Sequence, residues 1–115
     1  MTSATSENCE HPAVVVEHLQ WRGRTLRVEY EADWSGRGDD DPETAIAMLE
    51  VFVEAPIGAP IPVTSTGYRS HFLPPVSIIR AGGPAAFVSV WLDEQAKDRK
   101  WPGIDERWRQ RDLFE

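Results

Sequence analysis

Hydrophobic and polar positions alternate most cleanly between Leu26 and Trp34. Leu26, Val28, Tyr30, Ala32 and Trp34 take one side of an extended chain, and Arg27, Glu29, Glu31 and Asp33 take the other. Upstream, the run A-V-V-V leads to Leu19 and Trp21, so that Val15, Leu19 and Trp21 share one parity with Glu17 as its exception. Arg22-Gly23-Arg24 supplies the turn between the two runs, because Gly tolerates positive φ. The pattern predicts a β-hairpin with one buried face. Burying Leu26, Val28 and Tyr30 contributes about 1.5 to 3 kcal/mol each before conformational entropy is counted.

A third alternating run, Leu49, Val51, Val53 and Ala55 against Glu50, Phe52 and Glu54, predicts a strand over residues 46–54. Asp41, Pro42 and Glu43 also read as a helix start, which leaves a short helix over residues 42–48 as the alternative. Residues 55–63, A-P-I-G-A-P-I-P-V, contain three prolines and suit an edge or extended segment but not a central strand. Leu73-Pro74-Pro75 opens a helix of one or two turns that Gly82-Gly83 closes. From Pro84 the pattern changes to a helical stripe of Phe87, Val88, Trp91, Leu92 and Ala96, with Asp93 and Lys97 placed four apart as an exposed ion pair. The last dozen residues fit either a short helix or an extended tail. The fold class expected is α+β: a small antiparallel sheet of about three strands packed against one short and one longer helix from the C-terminal half.

Composition narrows the classes of function. The chain has 115 residues, sized for one domain, and 41% of them are hydrophobic, five of them Trp. Residues 1–12 are polar and unpatterned and read as a disordered tail, residues 13–101 as the domain, and residues 102–115 as a C-terminal tail. No apolar run approaches the roughly 20 residues that a membrane helix needs, so a cytoplasmic protein with no membrane partner is expected. Cys9 is the only cysteine, which excludes an internal disulfide. The net charge is −7, with 12 acidic and 4 basic residues in residues 1–54 against 7 and 8 in residues 55–115. Phosphate neutralisation on duplex DNA is therefore disfavoured. The acidic half leaves open an imitation of nucleic acid that occupies a basic partner.

Candidate chemistry is concentrated in residues 64–72, T-S-T-G-Y-R-S-H-F, whose Arg69 ends a run of 14 uncharged residues, 55–68. An extended backbone puts Tyr68, Ser70 and Phe72 on one side and Arg69 and His71 on the other. A guanidinium beside an imidazole suits a carboxylate or phosphate, so Tyr68, Arg69, Ser70 and His71 are the candidates for binding an anion or peptide. The alternative is that Arg69 pairs with a carboxylate of the acidic hairpin. Ser70 and His71 diverge as neighbours and cannot share the hydrogen bond of an activated nucleophile; no catalytic residue is assigned. His18 as a base would require its strand to lie beside this one. The adjacent carboxylates Asp39, Asp40 and Asp41 lack the spacing of a cation loop, and Cys9, His11 and His18 lack a zinc spacing. No metal and no cofactor are expected.

Two resemblances add a setting. The T-x-T-G-Y-R-S-H-F run, its Pro-started continuation, Gly-Gly-Pro and a helix containing W-L-D-E resemble small uncharacterised proteins of bacterial plasmids and integrative elements over residues 49–94. The resemblance implies a mobile-element setting, an intracellular location and no known catalytic role; the acidic insertion at residues 35–43 departs from it. Separately, Gln110-Arg111-Asp112-Leu113-Phe114 resembles the Q-L-[SD]-L-F pentapeptide that docks on the bacterial replication sliding clamp, with Arg111 in place of the usual Leu. That implies Gln110 and Asp112 as polar contacts and Leu113 and Phe114 as apolar anchors. The function expected is a non-enzymatic accessory or interaction protein of a mobile element with a protein partner, the sliding clamp among the candidates. The alternatives are an anion-binding protein or enzyme using Arg69 and His71, and an acidic mimic that inhibits a host defence system.

Overall fold

Arg22 at φ 47° and Gly23 at φ 84° turn the chain back on itself in two residues, the geometry that matches the twist of a hairpin. The computed structural model describes residues 14–32, 34 and 45–113, with side chains to residue 110. The turn joins β1 (Val14–Trp21) to β2 (Arg24–Glu31), paired antiparallel with Leu19 opposite Leu26. β3 (Ala47–Ala55) and β4 (Tyr68–Leu73) complete a meander in the order β1-β2-β3-β4. The expected third strand is present, and the strand reading of Ala47 and Met48 prevails over the helical one; residues 42–44 lie outside the described residues. Among the described residues the sheet has four strands where about three were expected, because residues 68–73 close the ladder on β3 with Val51 opposite Arg69.

Three helices follow among the described residues: α1 (Pro75–Ala81), α2 (Pro84–Gln95) and α3 (Trp101–Leu113). The prolines at the start of α1 and α2 occupy positions that need no N–H partner. Gly82, at φ 98°, ends α1 as the glycine pair predicted; the N–H of Gly83 donates to the Ile78 carbonyl at 3.0 Å. Residues 101–113 take the helical form of the two left open, so the described residues hold three helices where two were expected.

The core lies between one face of the sheet and the helices. Leu26, Val28, Leu49 and Val51 are fully buried against Ile78, Val88 and Leu92. Residues of the proline-rich link also enter it, with Ala59 and Ile61 buried. Glu17, the exception in the β1 pattern, points toward the helices and accepts the Ala85 N–H at 2.8 Å, satisfying a donor in the first turn of α2.

Two side chains depart from their expected places. Asp93 does not pair with Lys97: it accepts the Trp21 indole N–H at 2.9 Å and lies 3.9 Å from Arg22, while Lys97 pairs with Glu94 at 3.1 Å. α2 lies against β1, so a tertiary donor reaches Asp93 first. Trp34 does not continue the buried parity of β2. Regular alternation stops with the strand at Glu31, and the Trp34 ring meets Phe72 at 4.8 Å on the face turned away from the helices.

No single helix among the described residues is long and apolar enough to cross a membrane, and α1 and α2, taken together, are bent by 86°.

Candidate functional site

β4 is the last strand of the sheet, and its alternation deals the four chemical groups of Y-R-S-H to two opposite faces. On the face away from the helices, the Tyr68 hydroxyl donates to Glu50 Oε2 at 2.6 Å, and its ring packs on Phe52 at 5.0 Å. The hydrogen bond to the Glu50 carboxylate holds the phenolic proton and raises its pKa, with burial and the nearby acids adding to the effect. Ser70 lies opposite Glu50 on the same face, and Phe72 is half exposed beside Trp34. Arg27 donates to Glu29 at 2.8 Å and to Glu54 at 2.7 Å there, with its guanidinium 4.3 Å from the Phe52 centroid.

Arg69 and His71 lie on the helix side. The His71 ring is half-buried 4.9 Å from Trp91 and 6.5 Å from Phe87, centroid to centroid. Burial disfavours its charged form and the neighbouring Arg69 guanidinium adds to this, so its pKa falls below the ordinary 6.5. Arg69 donates once, to the Val63 carbonyl at 3.1 Å, and stands 5.8 Å from the Trp91 ring. It forms no ion pair among the described residues. The expected alternative, Arg69 against the acidic hairpin, is not formed: Glu29 and Glu31 belong to the opposite face, and Glu29 is already held by Arg27.

The backbone of β4 is as informative as its side chains. The Val53 N–H donates to the Gly67 carbonyl at 2.9 Å, which makes 53 and 67 a hydrogen-bonded pair. Such pairs alternate in an antiparallel ladder, so Arg69, His71 and Leu73 turn their backbone groups toward β3. Tyr68, Ser70 and Phe72 turn theirs outward. Apart from a 3.4 Å contact of the Thr66 hydroxyl with the Tyr68 carbonyl, that outer row has no partner among the described residues.

Brought together, then, are Arg69 with His71 and, on the other face, Tyr68 with Ser70; the four do not converge. His18 sits in β1, separated from β4 by two intervening strands, and lies 3.6 Å from Glu54. Among the described residues no group of three or more His, Cys, Asp or Glu could hold a metal ion; Cys9, His11 and residues 39–41 lie outside them. Gln110 is exposed near the end of α3, whose backbone continues through Asp112 and Leu113, and Phe114 lies outside the described residues. Sequence reasoning missed Phe87 and Trp91 as the frame of His71, although their spacing of four marks one helix face.

It missed Arg24 altogether. Read as part of the turn, Arg24 is the one buried charged residue of the described structure, 3% exposed. Its guanidinium lies 5.8 Å from the Trp21 centroid and 5.3 Å from that of Trp101. It donates to the Pro60 carbonyl at 2.8 Å, the Arg22 carbonyl at 2.9 Å and Asp105 Oδ1 at 2.7 Å. This cluster ties the hairpin, the proline-rich link and α3 together. Its parity with Leu26, Val28 and Tyr30 was the available signal.

The fold and site define a small α+β domain whose polar signature lies on an edge strand with no converging catalytic set among the described residues. The chain belongs to the family of the KlcB third domain, whose model matches residues 15–101. The match takes in nearly all of the sheet with α1 and α2 and ends at Trp101, the first residue of α3. A KlcB-like domain suits a plasmid-associated accessory protein. Neither the curated proteins nor the solved structures yield a match.

Proposed function

We propose that this chain is a non-catalytic interaction module of a plasmid-associated accessory protein, and that β4 with its two faces is its contact surface. The observation that carries this reading is the division of Tyr68, Arg69, Ser70 and His71 between opposite faces of an edge strand. Catalysis needs a nucleophile, a base and a stabilising donor converging on one atom, whereas recognition needs only groups displayed along a surface. The exposed rings of Phe72 and Trp34 and the Arg69 cation, which has no ion pair among the described residues, supply such a display.

The test is capture from an extract of plasmid-bearing bacteria on the immobilised chain. A protein retained by the wild type and lost from the double variant Arg69→Ala, Phe72→Ala, with the melting temperature unchanged, is the expected result. Equal retention by both, or retention of nothing, overturns the reading.

Docking on the sliding clamp through Gln110, Asp112, Leu113 and Phe114 is the second reading, favoured by the exposure of Gln110. Because residues up to Leu113 are helical, an extended peptide forms only if the last turn of α3 unwinds, which helix ends do at low cost. A chain ending at Gln110 should keep its stability and lose clamp binding. Unchanged clamp binding rejects the docking.

A further inference from the structure

We infer that the outer edge of β4 accepts an extended protein segment in which acidic and apolar side chains alternate. The inference rests on the interaction reading above and adds the chemistry of the partner. Ser70 and Phe72 present backbone N–H and C=O groups on that edge with no partner among the described residues, and Tyr68 adds an N–H. An added strand satisfies such a row directly.

The two faces of β4 then specify the two alternating positions of the newcomer. On the helix side, side chains of an added strand come beside Arg69 and His71. Arg69 uses one hydrogen bond on the Val63 carbonyl and forms no ion pair among the described residues, in a chain with net charge −7. A carboxylate at that position gains a charge-assisted hydrogen bond from a guanidinium that is already positioned against Trp91. On the other side the neighbours are Tyr68 and Phe72, with the Trp34 ring packed at a tilt against Phe72, and a branched or aromatic side chain covers them. The Tyr68 hydroxyl is already committed to Glu50, so that face asks for apolar surface.

Charge also argues against a second copy of this chain on the same edge. β4 carries no acidic residue, so a paired β4 would bring Arg69 against His71 or another Arg69 and supply no carboxylate. The other sheet edge lacks the cation: β1 is Val14–Trp21, and its Glu17 is held by α2.

The test uses the full chain and synthetic peptides of sequence T-E-V-E-F-E-T and T-K-V-K-F-K-T, followed by amide NMR and hydrogen exchange. The acidic peptide should shift the amides of Ser70 and Phe72 and slow their exchange. The basic peptide should bind about tenfold more weakly or worse, the scale of one charge-assisted hydrogen bond. Arg69→Glu, at an exposed side chain, should reverse the preference. Ser70→Pro removes an outward N–H that β3 does not use and should abolish binding. An acidic peptide methylated at its alternate backbone nitrogens should fail, because side-chain attraction alone cannot form the ladder.

An Arg that only guards the edge against aggregation predicts no binding of either peptide, and that result overturns the inference. So do equal binding of the two peptides, survival of binding after methylation, or protection of Ser70 and Phe72 that rises with protein concentration alone. If a partner captured from the extract depends on β4 while no acidic peptide binds, the partner's chemistry is wrong and the interaction reading stands.

Discussion

Arg24 and Arg69 both project from the helix-covered face of the sheet, and each stands beside tryptophan. Arg24 lies beside both Trp21 and Trp101, whose rings also meet each other at 5.8 Å, and Arg69 lies 5.8 Å from Trp91. Their surroundings then diverge. Arg24 is buried and spends its donors on two carbonyls and a carboxylate, whereas Arg69 is exposed and makes a single hydrogen bond among the described residues. A buried guanidinium must be fully satisfied to be tolerated, so Arg24 organises its neighbours and has little left for a ligand. An exposed guanidinium is under no such demand. The same residue type therefore acts as a structural clasp in one place and an available donor in the other, and the difference can be broken experimentally in order of size.

Removing Arg24 is the largest perturbation. Arg24→Ala takes away the cation that holds Asp105, orphans the Pro60 carbonyl and opens space beside two indoles. A loss of about 3 kcal/mol is expected from urea denaturation, the range for breaking a buried ion pair on one side. A loss below about 1 kcal/mol would show that the clasp is dispensable.

Asp105 sharpens the same point through pH. Burial acts to raise its pKa, but hydrogen bonds from Arg24 and Arg109, and their charges, outweigh it and leave the carboxyl below the ordinary 3.8. A carboxylate whose folded pKa is depressed stabilises the fold fully above its unfolded pKa. That contribution disappears as pH falls from about 3.8 through the folded value. Asp105→Asn should cost about 2 kcal/mol at neutral pH, the scale of a hydrogen bond to a charged group. It should also flatten the acid limb of the stability profile; an acid limb identical to that of the wild type would remove Asp105 from this role.

Glu17→Ala comes next, at about 1 kcal/mol, because it frees the Ala85 N–H in the first turn of α2 and because a lost helix-terminal partner has this typical size. Exchange at Ala85 should accelerate relative to Val88. Unchanged exchange would mean that water replaces the carboxylate without loss.

These residues also show what was legible in the chain. The alternations of β2 and β3 and the Pro and Gly punctuation of α1 and α2 are local, so period and backbone chemistry locate them. The separation of Arg69 and His71 from Tyr68 and Ser70 follows from the same two-residue period and holds in the structure. Tertiary partners are not local. The spacing of Asp93 and Lys97 suggests an ion pair until Trp21, 72 residues earlier in the chain, supplies the donor instead. Arg24 looked like a turn residue because its charge suits solvent, and only its parity with Leu26 marks it as inward. The fourth strand escapes a count from the sequence because the proline-rich link obscures where the extended chain resumes.

The smallest expected effect belongs to Arg69, and it separates the two arginines most sharply. At neutral pH Arg69→Ala should leave the denaturation midpoint where it is, since the residue is exposed and its hydrogen bond to the Val63 carbonyl is replaceable by water. The change should appear instead at His71. Burial is the larger cause of its lowered pKa and Arg69 the smaller, so removing the guanidinium should move the imidazole midpoint up toward 6.5 without reaching it. The sign for stability follows from the depressed folded pKa. The fold loses stability as pH drops from above 6.5 through the His71 value, because the unfolded chain takes up the proton first. In Arg69→Ala that loss should be smaller, since the folded and unfolded midpoints lie closer together. The measurement is an NMR titration of the His71 ring beside pH-dependent denaturation of the two proteins. A midpoint that does not move, or moves down, would mean that solvent screens Arg69 from His71 and that the pair does not act as one electrostatic unit.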